Sequence, residues 1–213
     1  MTKKRRFLFM LLASFLLILT GCQKTYDSAA ELKSDARTLQ AEVKTQRQEL
    51  KTIYANYAKI QRVFTKEQKH APETNLLTDH TTQTYLLNQT AQKSYDKLKA
   101  SQKSINQINE RLKKVDISRI NSLTSAELTE LTQSIHIIDL DHQSFANFMS
   151  AFLKDQNNFY RDAPELYRTD KDGLDERRAR ANRYLGAVDQ QLEILQVNLT
   201  STEAAVKKIL NTI

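Results

Sequence analysis

The sequence predicts an all-α fold: an elongated, antiparallel up-down-up-down bundle packed through coiled-coil-like heptads. Three observations carry that prediction. Glycine and proline are scarce, three and two residues in a chain of 213. All-β and doubly wound α/β chains need turn residues throughout. Apolar residues recur at alternating steps of three and four over most of the chain, which lines them along one seam of a helix. The spacing is interrupted near the two prolines and near Gly173.

The first segment carries its seam on Ala29, Leu32, Ala36, Leu39, Val43, Gln46, Leu50, Ile53, Tyr57, Ile60 and Phe64, with Gln46 the one polar member. It breaks at His70-Ala71-Pro72, where proline removes a donor and turns Ala71 away from helix. The second runs from about Leu77 to Val115 and is the most polar. His80, Thr84, Ser94 and Ser101 hold seam positions among Leu87, Ala91, Leu98, Ile105, Ile108 and Leu112. The third opens at Thr124 with Glu127 three residues on, the pattern of a capping box. Its seam passes through Leu128, Leu131, Ile135, Ile138, His142, Phe145, Met149, Phe152, Gln156 and Phe159, and Pro164 is expected to end it. The fourth starts near Leu174, with Asp172 or Asp175 beside its positive N-terminus. Its seam reads Leu174, Arg178, Ala181, Leu185, Val188, Leu192, Leu195, Leu199, Thr202, Val206, Ile209 and Ile213. Segments of ~40 residues make helices ~60 Å long, and short connections favour antiparallel neighbours. The alternative architecture is a three-helix core with the polar second segment loosely docked.

Upstream of the bundle, Lys3-Lys4-Arg5-Arg6 precede an uncharged run from Phe7 to Thr20, the n-region and h-region of a secretory signal. The run is shorter than the ~20 residues a spanning helix needs. It ends on Leu19-Thr20-Gly21-Cys22, which carries the only cysteine of the chain. These four residues resemble the lipobox of bacterial lipoproteins. That resemblance implies diacylglyceryl transfer to Cys22, cleavage between Gly21 and Cys22, and a protein anchored by lipid on the extracytoplasmic face of the cell membrane. Residues 1–21 are then a signal peptide, 22–24 an anchor and short linker, and 25–213 the helical domain.

Removing residues 1–21 leaves 192 residues, enough for one domain with a real core. Four of the 32 Lys and Arg go with the signal, so 28 basic side chains face 25 acidic ones. The basicity is largely a targeting feature, and no clustered basic stripe points to a nucleic-acid partner. With Cys22 lipidated, no thiol remains for a disulfide, a metal or a nucleophile.

Only Gln23 and Lys24 separate the lipid from the helical domain. One pole of the bundle is therefore expected near the membrane, with the Val115–Thr124 turn and the C-terminus. The turns near Pro72 and Pro164–Gly173 form the far pole. Of the 13 aromatic residues after Cys22, only Tyr26 falls near the membrane pole. The functional reading is a far tip that meets a ligand, since tyrosine is enriched at interfaces. Tyr54, Tyr160, Arg161 and Tyr167 are the candidate contacts. The alternative is plain packing, because aromatics at helical spacing usually belong to a core.

Catalytic and metal chemistry find little support. The four histidines lack the i,i+4 spacing of zinc ligands on a helix, and His80 and His142 read as polar core members. Setting Gly173 at the sixth position of a calcium loop leaves Arg168 and Ala179 where ligands are required. No nucleophile elbow, phosphate loop or Cys-His pair appears. No cofactor and no enzymatic activity are expected.

Lipobox, charged heptad-rich helices, about two hundred residues and no enzyme motif together make the chain similar to the cell-wall-binding lipoproteins of Gram-positive bacteria, the YkyA type. The resemblance implies an envelope protein that contacts wall polymer or a protein partner. The competing expectation is a spacer or adaptor whose exposed heptad face pairs with another helix, including that of a second copy in a homodimer.

Overall fold

The computed structural model describes residues 28–213. The expectations for 1–21, Cys22, the 22–24 linker and Tyr26 concern residues outside that range. Four long helices follow in order: α1 (Ser28–His70), α2 (Gln83–Leu112), α3 (Ser125–Thr169) and α4 (Lys171–Thr212). One turn of 3₁₀ helix, Ile117–Arg119, lies between α2 and α3. No strand occurs among the described residues.

Bonds between the helices fix their directions. Asp35 meets Arg111 and Glu42 meets Ser101, so α1 and α2 are antiparallel. Glu130 meets Lys208 and Asp141 meets Asn198, so α3 and α4 are antiparallel. Lys33 donates to the carbonyl of Ile213, and Arg47 pairs with Glu203, which closes α1 against α4. Among neighbouring helices α2 and α3 touch least, whereas α2 packs against α1 as extensively as α3 does against α4. α2 is a full member of the bundle: Ala91, Leu98, Ile105, Ile108 and Leu112 sit in one core with residues of the other three helices. The fold is an up-down-up-down four-helix bundle. Ser28, the α2–α3 connection and the C-terminus share one pole, and residues 71–82 and Asp170 share the other.

The seam of α1 is buried at every position from Leu32 to Phe64, Gln46 included. That of α4 is buried from Ala181 to Ile209. Thr124 and Glu127 form the reciprocal capping box expected of them. Three boundaries differ from expectation. α2 begins at Gln83, because the segment before it folds as a turn. Thr82 Oγ1 accepts from Tyr85 N, and Glu67 of α1 accepts from the backbone of Gln83 and Thr84. Those bonds satisfy donors that a helix start leaves orphaned. Leu77 is buried in that turn, whereas His80 is exposed against the ring of Tyr85 and is no core member.

Pro164 does not end α3, which runs on to Thr169. Proline lacks an N–H and its ring crowds the carbonyl of Tyr160, but the donors of the following residues remain, so the next turn continues. α4 then starts at Lys171 rather than near Leu174. Asp170 serves both helices: its N–H bonds to the carbonyl of Leu166, and its Oδ1 accepts from Gly173 N. Asp170 is the cap, and Asp172 lies in the first turn beside the positive N-terminus, as expected.

Midway along the bundle the apolar core gives way to a polar layer. Gln46 Nε2 donates to Gln102 Oε1 at 3.0 Å, and His142 Nε2 donates to Gln46 Oε1 at 2.9 Å. Gln102 in turn donates to Asn106 and Asp139, and Asp139 also accepts from Asn106 and Gln143. Burial pulls the His142 imidazole from 6.5 down to about 4, against the attraction of Asp139. Burial pushes the Asp139 carboxyl up, but the Asn106, Gln102 and Gln143 amides outweigh it and hold the group below its ordinary value.

Candidate functional site

The Asp170 pole gathers the aromatic residues that heptad spacing placed on separate helices. The seam of α1 supplies Tyr57 and Phe64, and that of α3 supplies Phe152 and Phe159. Tyr57 meets Phe152 edge-on at 4.8 Å, and Phe64 meets Phe159 at 5.0 Å. Tyr160 packs against both Phe64 and Phe159. From α4, the Arg178 guanidinium lies 5.2 Å over the Phe64 ring and donates to the carbonyl of Gln61. Such a placement lets the cation keep a wet edge while its flat face covers an aromatic.

Between these side chains lies a cavity of about 20 Å³, room for roughly one water. Tyr57 Oη and Gln156 Oε1 belong to residues that line it, and neither has a hydrogen-bond partner. Burial raises the Tyr57 and Tyr160 phenols well above the ordinary tyrosine range. Both hydroxyls therefore stay neutral in ordinary buffers. Gln61, Asn182 and Arg178 also line it, and there is no carboxylate and no histidine among the lining residues.

The surface beside the cavity is different in character. Here α3 and α4 form an open cleft lined by Asp155, Asn158, Arg161, Asp162, Arg177 and Arg180, with Phe159 at its floor. Arg180 pairs with Asp155 at 2.9 Å. Arg161 pairs with Asp162 at 2.9 Å, and Arg177 pairs with the other oxygen of the same carboxylate. The Arg161 bond first, and then Arg177 against the effect of burial, holds the Asp162 carboxyl below its usual value. Three guanidinium groups thus share two carboxylates. The arginine ends of these pairs are at least half exposed, while the carboxylates are more enclosed. Surface pairs contribute little net stability, so the guanidinium groups can also turn to an anion from solvent.

The four residues singled out for ligand contact separate. Tyr160 is 4 % exposed and belongs to the aromatic core, so it offers no face to a ligand. Tyr54 is 37 % exposed, but it lies ~15 Å nearer the Ser28 pole than Tyr160, judged by the pairing of Tyr57 with Phe152 and the helical rise. Tyr167 is half-buried against the core, with Lys171 Nζ 5.9 Å from its ring centre. Arg161 is exposed and stands in the cleft. The guanidinium group around it was not expected. Its signal is present in the sequence as Arg177-Arg178-Ala179-Arg180, together with Asp155 and Asp162 one heptad apart on the facing helix.

Among the described residues, no group of three His, Cys, Asp or Glu side chains is placed to hold a metal ion. No described helix is long and apolar enough to cross a membrane. The chain matches no protein-family model, no curated protein and no solved structure.

Proposed function

We propose that this chain is a lipid-anchored envelope protein without enzymatic activity, held at the extracytoplasmic face through Cys22, whose Asp170 pole contacts cell-wall polymer. The observation that supports this reading is the separation of two chemistries along a rod. The lipobox residues end six positions before α1 begins. The arginine cleft lies toward the opposite end of the bundle, ~50 Å along helices of 42 to 45 residues. Lipidation supplies the anchor, because two or more acyl chains at ~0.8 kcal/mol per buried CH₂ hold firmly. Arg161, Arg177 and Arg180 suit phosphate or carboxylate groups on a polymer, since a guanidinium binds such groups through two parallel N–H bonds.

Two measurements test the two halves. Radiolabelled palmitate fed to cells is expected to label the full chain and not the Cys22→Ala variant; equal labelling of both would remove the anchor. Purified, protein-free cell wall is expected to retain the full chain, and to lose most of that retention when Arg161, Arg177 and Arg180 are all changed to Ala. Equal retention of the two proteins, or none of either, would sink the polymer reading. A second reading, a spacer that associates with itself, is favoured by the exposed apolar face of α3 and α4.

A further inference from the structure

Seven large apolar side chains are exposed among the described residues, and five of them share one face: Ile137, Leu140 and Phe148 on α3, Ile194 and Val197 on α4. The two helices carry them at the same height. Asp141 bonds Asn198, which sets Val197 level with residue 142 of α3. Leu140 is then only two residues, ~3 Å, away along the axis. Half of the Leu140 side chain and 65 % of Val197 stand in solvent.

The same stretch is nearly free of charge, in a chain that is 27 % charged. Between Glu130 and Lys154, α3 has only Asp139 and Asp141. Both are turned sideways into bonds, Asp139 with Gln102 and Asn106, Asp141 with Asn198. Between Arg183 and Glu203, α4 has only Asp189 and Glu193, and of these only Glu193 is exposed. Three heptads of an outward helix surface normally carry Lys and Glu for solubility. Depletion of charge with retained large apolar groups marks the centre of a protein interface.

We infer that this α3–α4 face is where a second copy of the chain docks, giving a two-fold dimer with both bundles pointing the same way. The face is ~30 Å long and ~20 Å wide, two helices side by side. That is on the order of 600 Å², comparable with the ~800 Å² each partner contributes to a standard interface. Charge selects this face over the opposite one. The outer surfaces of α1 and α2 expose Lys44, Lys51, Lys93 and Lys103 beside the pairs of Lys97 with Glu49 and Lys99 with Asp96. Lysine is in excess there, so two copies repel each other. The α3–α4 face meets its own image without any like-charge contact beyond Glu193. A two-fold axis along the bundle lays α3 of one copy over α4 of the other, and the matched heights put Leu140 against the partner copy's Val197, twice. An axis across the bundle would lay α3 on α3 and leave Val197 facing its own kind. The face stands independently of the anchor; the parallel orientation rests on the lipid reading, because two Cys22 lipids in one membrane require both bundles to rise from the same side.

The test is charge exchange read by light scattering. The full chain, purified in detergent micelles with the micelle mass subtracted, is expected to have the mass of a dimer. Leu140→Glu and Val197→Lys are each expected to give a monomer with an unchanged helical circular dichroism spectrum, since both sites are exposed. The double variant is expected to return to a dimer, because each introduced carboxylate meets an introduced ammonium of the other copy. A wild-type monomer at every concentration would overturn the proposal. A dimer untouched by either single change would place the interface elsewhere and overturn it too. Single changes that dissociate, without rescue in the double variant, would overturn the parallel pairing. None of these outcomes depends on palmitate labelling, so the dimer and the anchor can fail separately.

Discussion

Lowering the pH from 7 to 4 is expected to destabilise the fold through one side chain, His142. Its imidazole is 9 % exposed and donates to Gln46 Oε1, and burial holds its pKa near 4 instead of 6.5. The folded value is thus depressed. Above pH 6.5 the ring is neutral in both states and contributes nothing to the pH dependence. Between 6.5 and 4 the unfolded chain takes up a proton that the folded chain refuses, so stability falls as pH falls. Below 4 both states are protonated and the loss levels off. A shift of this size corresponds to about 3 kcal/mol when complete, with about 2 kcal/mol lost by pH 5. Asp139 opposes part of it by attracting the imidazolium. Urea unfolding of the wild type and of His142→Gln, in half-unit steps of pH, isolates the effect. Every other side chain is common to the two proteins, so the difference reads His142 together with Asp139, the carboxylate that senses its charge. The wild type should lose its advantage over the variant steadily between pH 6.5 and 4. A difference constant to within about 0.5 kcal/mol across that window would refute the assignment of a neutral, desolvated His142.

Other expectations concern the ends of the helices. Asp170→Ala should cost about 1 kcal/mol as a lost N-cap. Gly173→Ala should be nearly neutral alone, because its new Cβ would collide with the Asp170 carboxylate and displace the cap while helix propensity returns about as much. On the Asp170→Ala background the same change should stabilise by about 1 kcal/mol, and a denaturation double-mutant cycle showing simple additivity would contradict this account. Pro164→Ala restores a donor to the carbonyl of Tyr160 inside α3 and should raise stability by about 1–3 kcal/mol. A fall in melting temperature for that variant would mean that the bundle needs the proline.

Seam positions were legible in the sequence because burial follows a period that residue type alone reveals. Leu32 to Phe64 in α1 shows this, and so does the capping box at Thr124, whose two members are three residues apart. Boundaries were less legible where the deciding contact comes from afar. α2 cannot start at Leu77 partly because Glu67, sixteen residues before Gln83, caps its first turn. Pro164 reads as a stop because proline is costly inside a helix, yet that local cost is outweighed because Phe159, Tyr160 and Ala163 are fixed in the core around it. At the Asp170 pole the sequence shows that aromatics accumulate, but Tyr160 and Tyr54 differ in exposure through the packing of neighbouring helices. The partners of Arg161, Arg177 and Arg180 depend on the register between α3 and α4, which no local pattern specifies.

Register is the problem that the polar layer solves. A seam of Leu, Ile and Val tolerates a slip of one heptad at little cost, since one aliphatic residue replaces another. The connections 71–82 and 113–124 are long enough to allow slack between α1, α2 and α3. Gln46, Gln102 and His142 remove it: a slip would set Gln102 against Leu39 or Ile53 and leave three buried polar groups without partners, at ~1–3 kcal/mol each. α4 takes no part in this layer. Thr202, buried on its seam, bonds to the carbonyl of Asn198 within its own helix. It needs no such device, because α3 passes to α4 through the single residue Asp170, which leaves no slack to be removed. If this division of labour holds, replacing Gln46, Gln102 and His142 together by Leu should raise the melting temperature, as when buried polar clusters elsewhere give way to apolar ones. The same protein should show broadened or doubled amide resonances in α1 and α2, while α4 next to Asp170 keeps single sharp ones. A triple variant with one sharp set of resonances throughout would show that the apolar seam and the turns fix the register unaided.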